Sequence, residues 1–586
     1  MSPSAADADA IDQTTPQATR SAISLLRLSG LASFLFLLLA ATGAIQTPTV
    51  WPLWLTSRQV FLQDIWLALA LLGAAGLAFA GSYLKLNRLE LSKSVLILAT
   101  ITVFALCYAG HYLVLSAFDL TRDEQMVTFD AWVFRHGALA WPLPEVWRTE
   151  VTALNNLFML QVEQPVAWVS AYLPGNALLH AAFGLLGDQA LTAPLLTALS
   201  VPLLWSVARK LWPDNRAAAA IPVILFLTSG QVLLSGMTTF AMAAHLCCNL
   251  AWLRLFLADR RASDGAALAL GWFATGLHQP LFHPLFVAPF LLMLLLERRW
   301  TRLASFVIGY AVIGLFWLSW PGQMLALVSG PESRLLTGGA DYLTGLLAAL
   351  TTNVGHLELL GANLLRFVTW QNVLLLPLLF AAWPTIRRNR LAGAMALGLV
   401  LPSVVLTAIL PWQGNGFGYR YLQPALGNAL LLAGYGWQRL APLHARLRPA
   451  FAVASAATLL IILPLQMAMS HARYAPFVRA EATIATSGAD YALIQMGNGV
   501  AYGNMIINRP DLSKRPIRLV AEYIRDPVRL AKRICTPGTT VALGTNAFFR
   551  PASEAFGIPP HDTANARLPA LRAPYEAAGC RIVLLR

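Results

Sequence analysis

The residues best placed to do chemistry in this chain are two adjacent carboxylates, Asp123 and Glu124. They stand in the run Phe118-Asp119-Leu120-Thr121-Arg122-Asp123-Glu124-Gln125-Met126, directly after an apolar stretch from about Val95 to Leu115. Acids side by side at a membrane surface point to chemistry there, and at the start of a helix they also gain from the positive end of its dipole. Helix capping, with Thr121 or Asp123 as the N-cap, explains the same residues equally well. A second constellation is Gly414-Asn415-Gly416-Phe417-Gly418-Tyr419-Arg420-Tyr421-Leu422. Its glycines let backbone amides approach a ligand, and Arg420 offers a planar fork of donors suited to phosphate. An arginine at a helix end also snorkels to lipid headgroups, so both readings stand.

The turn Gly276-Leu277-His278-Gln279-Pro280-Leu281-Phe282-His283-Pro284 holds His278, Gln279 and His283 near membrane depth. Polar groups are costly there, which makes the three candidates for substrate binding. Hydrogen bonding to neighbouring backbone is the structural alternative. No metal is assigned, because no further Cys, His or carboxylate lies at ligand spacing, although a divalent ion stays open as a cofactor. Glu163, beside Gln164, is another candidate, or else a cap or a partner of Arg148.

The elements that must position these groups are membrane helices. The chain is 57% hydrophobic and 12% charged over 586 residues, too apolar for a soluble domain. Its net charge of +14 does not indicate nucleic acid, because Lys and Arg punctuate the gaps between apolar runs instead of forming a stripe with aromatics. Apolar windows of bilayer length predict about thirteen spans. They lie at 24–46, 61–84, 94–116, 189–210, 217–234, 238–258, 264–280, 281–297, 303–320, 370–386, 391–411, 422–438 and 450–470. Residues 1–22 read as a disordered cytoplasmic tail and 23–471 as the membrane domain. With the N terminus inside, every inward turn is basic, from Arg20 and Arg27 to Arg439, Arg446 and Arg448. That count requires Gly175 to Leu186 to lie in the interface without spanning, which its short length and its Tyr172-Leu173-Pro174-Gly175 start also favour.

The outer face then carries a loop at 117–188, a loop at 321–369 and everything beyond 471. In the first, Asp123 to Arg135 reads as a helix lying on the membrane, with Met126, Phe129, Trp132 and Val133 on one side. Residues 472–586 read as a small extracytoplasmic α/β domain, with strands at Tyr491 to Met496, Ile517 to Val520, Thr540 to Gly544 and Arg581 to Leu585. Its helices are expected at Glu522 to Ile534, Pro551 to Phe556 and Ala573 to Ala578. Cys535 and Cys580 both fall in it, and an oxidising compartment would join them in a disulfide.

Asp123-Glu124-Gln125 after a membrane helix, then the amphipathic helix, then Tyr172-Leu173-Pro174-Gly175, then Gly418-Tyr419-Arg420-Tyr421-Leu422, resembles the GT-C glycosyltransferases. The similarity is to the branch of protein O-mannosyltransferases and aminoarabinose transferases, over about Ala117 to Leu440. Two extra helices precede the core, and His278-Gln279-Pro280 stands where many relatives have a basic residue before Pro. The resemblance implies an inverting transferase of the cytoplasmic (inner) membrane, moving a sugar from a polyprenyl-phosphate donor to a glycan, lipid or protein acceptor at the outer face. It implies Asp123 as the base, Glu124 as a second candidate or orienting partner, and Arg420 with Tyr419 and Tyr421 at the donor phosphate. Tyr172 joins the substrate-binding candidates, and membrane lipid is the other partner. The competing class is a polytopic transporter or flippase for a lipid-linked or small-molecule substrate, for which no inverted repeat is evident.

Overall fold

The computed structural model describes residues 16–50, 59–85, 91–155, 157–330, 344–345, 348–350, 357–411, 413, 416–496, 500–556 and 563–586. All thirteen predicted apolar stretches fall on helix. The helices of the bundle are α1 Pro16–Val50, α2 Val60–Gly81 and α3 Lys93–Leu113, followed after the first long loop by α6 Thr192–Leu211, α7 Arg216–Leu227 and α8 Gly230–Ser235. Then come α9 Met242–Phe256, α10 Arg261–Thr275, α11 Phe282–Leu296, α12 Trp300–Val328, α13 Leu357–Thr369 and α14 Leu375–Ala381. The bundle closes with α15 Arg390–Ile409, α16 Leu426–Leu440, α17 Leu447–Ala457 and α18 Leu463–Ala485. Among the described residues seven helices are long and apolar enough to cross a membrane, and α7, α9 and α11 are shorter apolar helices packed within the bundle. The chain is a multi-pass helical membrane protein. Side-chain caps fix the helix starts: Ser92 accepts from the Val95 amide, Asn215 from Ala218 and Asn389 from Ala392.

Two predicted boundaries move. α1 begins at Pro16, inside the expected tail, because Ala18, Arg20 and Ala22 are good helix formers; residues 1–15 lie outside the described residues. The loop expected at 321–369 is narrower, since α12 runs through Pro321 to Val328 and α13 takes up Leu357–Thr369. Met324 and Val328 continue the helix because they pack on Val162 and Val169 of the first loop.

That loop holds α4 Arg122–Arg135, a two-strand ribbon pairing β1 Trp141–Pro142 with β2 Ala167–Trp168, and α5 Gly175–Leu185, the short helix expected not to span. The C-terminal unit has the four predicted strands, β3 Tyr491–Ile494, β4 Ile517–Val520, β5 Thr540–Gly544 and β6 Arg581–Leu585. They form one parallel sheet in the order β4-β3-β5-β6, with α19 Pro527–Ile534, α20 Asn546–Phe556 and α21 Ala564–Ala577 in its connections. Cys535 is bonded to Cys580, closing a 45-residue separation.

This unit is not set apart at residue 472. α18 continues without a break from the bundle to Ala485, and Met126, Phe129, Trp147 and Trp168 of the loop share one apolar cluster with Leu493, Leu519 and Leu543 of the sheet. Apolar faces on both partners make this burial favourable, so loop and sheet fold as one layer over one end of the bundle, the loop face.

Candidate active site

The start of α4 separates the two acids. Thr121 is the N-cap: its hydroxyl accepts from the Glu124 amide, and the Glu124 carboxylate takes the Thr121 amide at 3.0 Å, a complete capping box. Glu124 is thereby occupied. One position earlier on the helix, Asp123 points to other segments. Its Oδ2 lies 2.9 Å from Arg420 Nη1, and its Oδ1 accepts from the Tyr172 hydroxyl.

Each partner is delivered by backbone constraint. The Tyr172 segment zips onto the turn after α10, with Leu173 N donating to His278 O (3.2 Å), Gly175 N to Gly276 O (2.8 Å) and Asn176 N to Leu277 O (3.1 Å). A Cβ on Gly175 would come within 2.7 Å of the Gly276 carbonyl, so only glycine permits this approach. The zip stacks the Tyr172 and His278 rings with centroids 4.4 Å apart. Asp130, two turns along α4, holds the same segment by accepting from Ser170 N (3.1 Å) and from its hydroxyl.

Arg420 is set by Gln413. The Gln413 side chain donates to Gly418 O (2.7 Å) and accepts from Arg420 N (2.7 Å), while its carbonyl accepts from Arg420 Nη2 (2.7 Å). Gln231 donates to Tyr419 O and Asn249 to Pro424 O, each at 2.8 Å. Gly418 takes φ +61°, the left-handed turn that aims Arg420 at the loop while Tyr419 goes into the bundle. The guanidinium lies 4.5 Å over the Phe240 ring and 5.1 Å over Tyr421. Its Nε is buried with no hydrogen-bond partner among the described residues.

The electrostatics follow the geometry. Burial pushes the Asp123 carboxyl up, but Arg420, His278 and Tyr172 together outweigh it and hold the group below the usual carboxylate range. Burial, with the Asp119 charge adding to it, pushes Glu124 up to about 8. Burial lifts Asp130 to about 7 and lowers His278 to about 4, so His278 is neutral at pH 7. At that pH the centre is one carboxylate, one guanidinium, a phenol and a neutral imidazole.

Not every candidate joins it. The Tyr419 side chain is fully buried in the bundle core, because Gly418 turns it inward. Tyr421 stays beside Arg420, its hydroxyl 3.3 Å from Nη2. His283, in the first turn of α11, is enclosed between Asn249 (2.7 Å) and the Tyr310 hydroxyl (2.8 Å), away from the Asp123–Arg420 contact. Glu163 pairs with Arg525 of the C-terminal unit at 3.3 Å, whereas Arg148 bonds to the Leu143 carbonyl. Gln279 is half-buried beside His278. Gly414 and Asn415 lie outside the described residues. Sequence reasoning missed Gln413, an isolated glutamine in no periodic pattern, and Asp119, which accepts from Thr239 at 2.9 Å and from the Thr128 hydroxyl. Among the described residues no three His, Cys, Asp or Glu are grouped to hold a metal ion.

Fold and site together define a multi-pass helical membrane protein with a buried carboxylate–guanidinium centre at its loop face. Among solved structures the chain is similar to ArnT from Cupriavidus metallidurans bound to undecaprenyl phosphate, at 14% identity and a TM-score of 0.47, covering 72% of this chain and 86% of that one. It is also similar to the same protein in the apo state, at 13% identity and a TM-score of 0.43, covering 80% and 90%. No family model matches the sequence, and no curated protein does.

Proposed function

We propose that the chain is a GT-C type glycosyltransferase of the cytoplasmic membrane, taking a sugar from a polyprenyl-phosphate donor and passing it, with inversion, to a hydroxyl acceptor at the outer face. The observation that carries this reading is the Asp123–Arg420 contact of 2.9 Å, made by residues nearly 300 positions apart, with a spare buried donor on the arginine. A base and a phosphate clamp at the membrane boundary are what such a transfer needs.

The acceptor hydroxyl gives its proton to Asp123 as its oxygen attacks the anomeric carbon from the side opposite the phosphate. The bond from that carbon to the phosphate oxygen breaks, and its electron pair leaves with the polyprenyl phosphate, whose charge Arg420 neutralises. Without donor, Arg420 suppresses the basicity of Asp123. A phosphate sharing the guanidinium relieves that suppression, so donor binding arms the base. Tyr172 and neutral His278 keep the carboxylate oriented, and Glu124 keeps the helix start closed. The basic turns support an N terminus in the cytoplasm and an α/β unit outside.

The test is transfer from a polyprenyl-phosphate sugar by purified protein and by Asp123→Asn. Loss of transfer with donor binding retained supports the base. Unchanged transfer refutes it, and a wild type that transfers from no polyprenyl donor favours a transporter.

A further inference from the structure

At the end of the bundle away from Asp123 and Arg420, α11 and α15 part around a cavity of about 350 Å³. α11 starts at the turn that zips onto the Tyr172 segment and runs away from it for 15 residues, about 22 Å, to Leu296. α15 starts at Arg390, beside that end, and runs back toward Gln413. The cavity is therefore separate from the carboxylate–guanidinium centre, and what it binds does not depend on the transfer proposed above.

Its two halves differ in chemistry. One wall is apolar, built from Leu292, Met293 and Leu296 of α11 and Leu397 of α15, and Leu292 and Leu296 are exposed. The other is Arg387, Arg388 and Arg390, all exposed. Arg390 is tied down, because its Nη1 donates to the Leu296 carbonyl at 2.9 Å and so joins the two helices. Arg387 and Arg388 form no side-chain hydrogen bond and no ion pair among the described residues, and no acid lines the cavity. A neighbouring basic turn shows the contrast: Arg299 is matched by Asp259, and Arg302 by Asp259 and Asp264. The 387–390 turn keeps its charge for something outside the chain. Trp383, exposed just before it, marks the level, since tryptophans at helix ends gather at the boundary between membrane and water.

Cationic groups beside an outward-facing apolar wall, at the membrane boundary, match a lipid with a negative headgroup. A water-soluble anion leaves the leucines uncovered, and a zwitterionic headgroup brings no net charge. Three guanidiniums also exceed the single charge of one phosphodiester. We propose that this cavity holds the headgroup of a phospholipid with two phosphodiesters, drawn from the leaflet on the side opposite the centre. One phosphate pairs with Arg387 and the other with Arg388, and the acyl chains lie along Leu292 and Leu296. The lipid bridges α11 and α15, whose other ends adjoin the His278 turn and the Gln413 segment.

Full-length protein, delipidated in detergent, is titrated with cardiolipin, phosphatidylglycerol and phosphatidylcholine and followed by native mass spectrometry, with inorganic pyrophosphate as a soluble competitor. Cardiolipin is expected to bind saturably and tightest of the three. Arg387→Gln/Arg388→Gln lowers its affinity about 25-fold, roughly fivefold for each arginine. Lys210→Gln/Arg216→Gln, which removes two charges from another exposed basic turn at the same end, leaves it unchanged. Without lipid, both variants melt with the wild type, because the replaced side chains are exposed; cardiolipin then raises the melting temperature of the wild type and of the second variant, and not of the first. Equal binding of phosphatidylglycerol or phosphatidylcholine, wild-type affinity in the Arg387/Arg388 variant, an equal loss in the Lys210/Arg216 variant, or displacement of cardiolipin by pyrophosphate overturns the proposal.

Discussion

Two of the buried aspartate–arginine pairs among the described residues differ in what surrounds them. Asp123 and Arg420 have side chains 16% and 6% exposed and meet where two loops converge. Asp64 and Arg366 are 0% and 5% exposed, with Arg366 Nε 2.7 Å from Asp64 Oδ2. The second pair joins α2 to α13 beside an apolar cluster of Ala40, Ala44, Val60, Ala362 and Leu365. Identical residue types therefore do two jobs. Enclosed by helices, the inner pair ties two of them together; the outer pair, where α4 meets the Gly418–Arg420 turn, is the one our proposal assigns to the donor phosphate.

Removing a carboxylate from each pair separates the two roles. The largest effect expected is on turnover: Asp123→Asn lowers transfer by about 10² to 10⁴-fold, the usual share of a general base, with a fall in melting temperature smaller than at the inner pair because Asn keeps the shape of the side chain. Asp64→Leu does the reverse. It strands a buried guanidinium and costs roughly 3 to 5 kcal/mol of stability, read by thermal unfolding in detergent, and the double variant Asp64→Leu/Arg366→Met recovers most of it. If Asp64→Leu instead yields a stable protein without activity, the comparison is broken and the inner pair belongs to the mechanism.

A smaller effect tests how Arg420 is aimed. Gln413→Ala removes two side-chain hydrogen bonds to the Gly418–Arg420 backbone and leaves buried groups unpaired, at about 1 to 3 kcal/mol. The expected signature is a raised KM for donor, with Gln413→Glu restoring only part of it. The smallest effect is on pH. Glu124 and Asp130 titrate near 8 and 7 in the folded protein, above their unfolded values, so the folded state holds more protons between about pH 4 and 8. Stability falls as pH rises through that window, and Asp130→Asn flattens the part of the fall below about pH 7. Asp123 is shifted the other way, so its contribution is lost only as pH drops below the ordinary carboxylate range.

Which of these features could be read from the sequence depends on how local their causes are. Apolar runs and alternation depend on neighbours in the chain, so the spans, the four strands and α4 were legible within a few residues. Of the site, Asp123 and Arg420 stood out because their immediate surroundings are unusual, an acid pair after an apolar run and an arginine in a glycine loop. Glu124 shared that signal, yet the capping box took it, an outcome decided by the Thr121 hydroxyl. His283 shows the limit of such a signal, because cost at membrane depth is the same for a packed imidazole as for a functional one, and Asn249 with Tyr310, on two other helices, meets that cost. Asp64 and Arg366 are 302 positions apart, and no pattern within either segment announces the other.

α18 has a mechanical consequence. Its 23 residues form a strut of roughly 35 Å that starts in the bundle and ends in the sheet unit. A strut fixes height. Whatever docks against the sheet is held at a set distance from the bundle, and force applied to the unit is delivered beside Gln466 and Tyr474. The interior proline, Pro476, is where such a helix bends, so flexing there would tilt the sheet unit against α4 and turn a fixed gauge into an adjustable one.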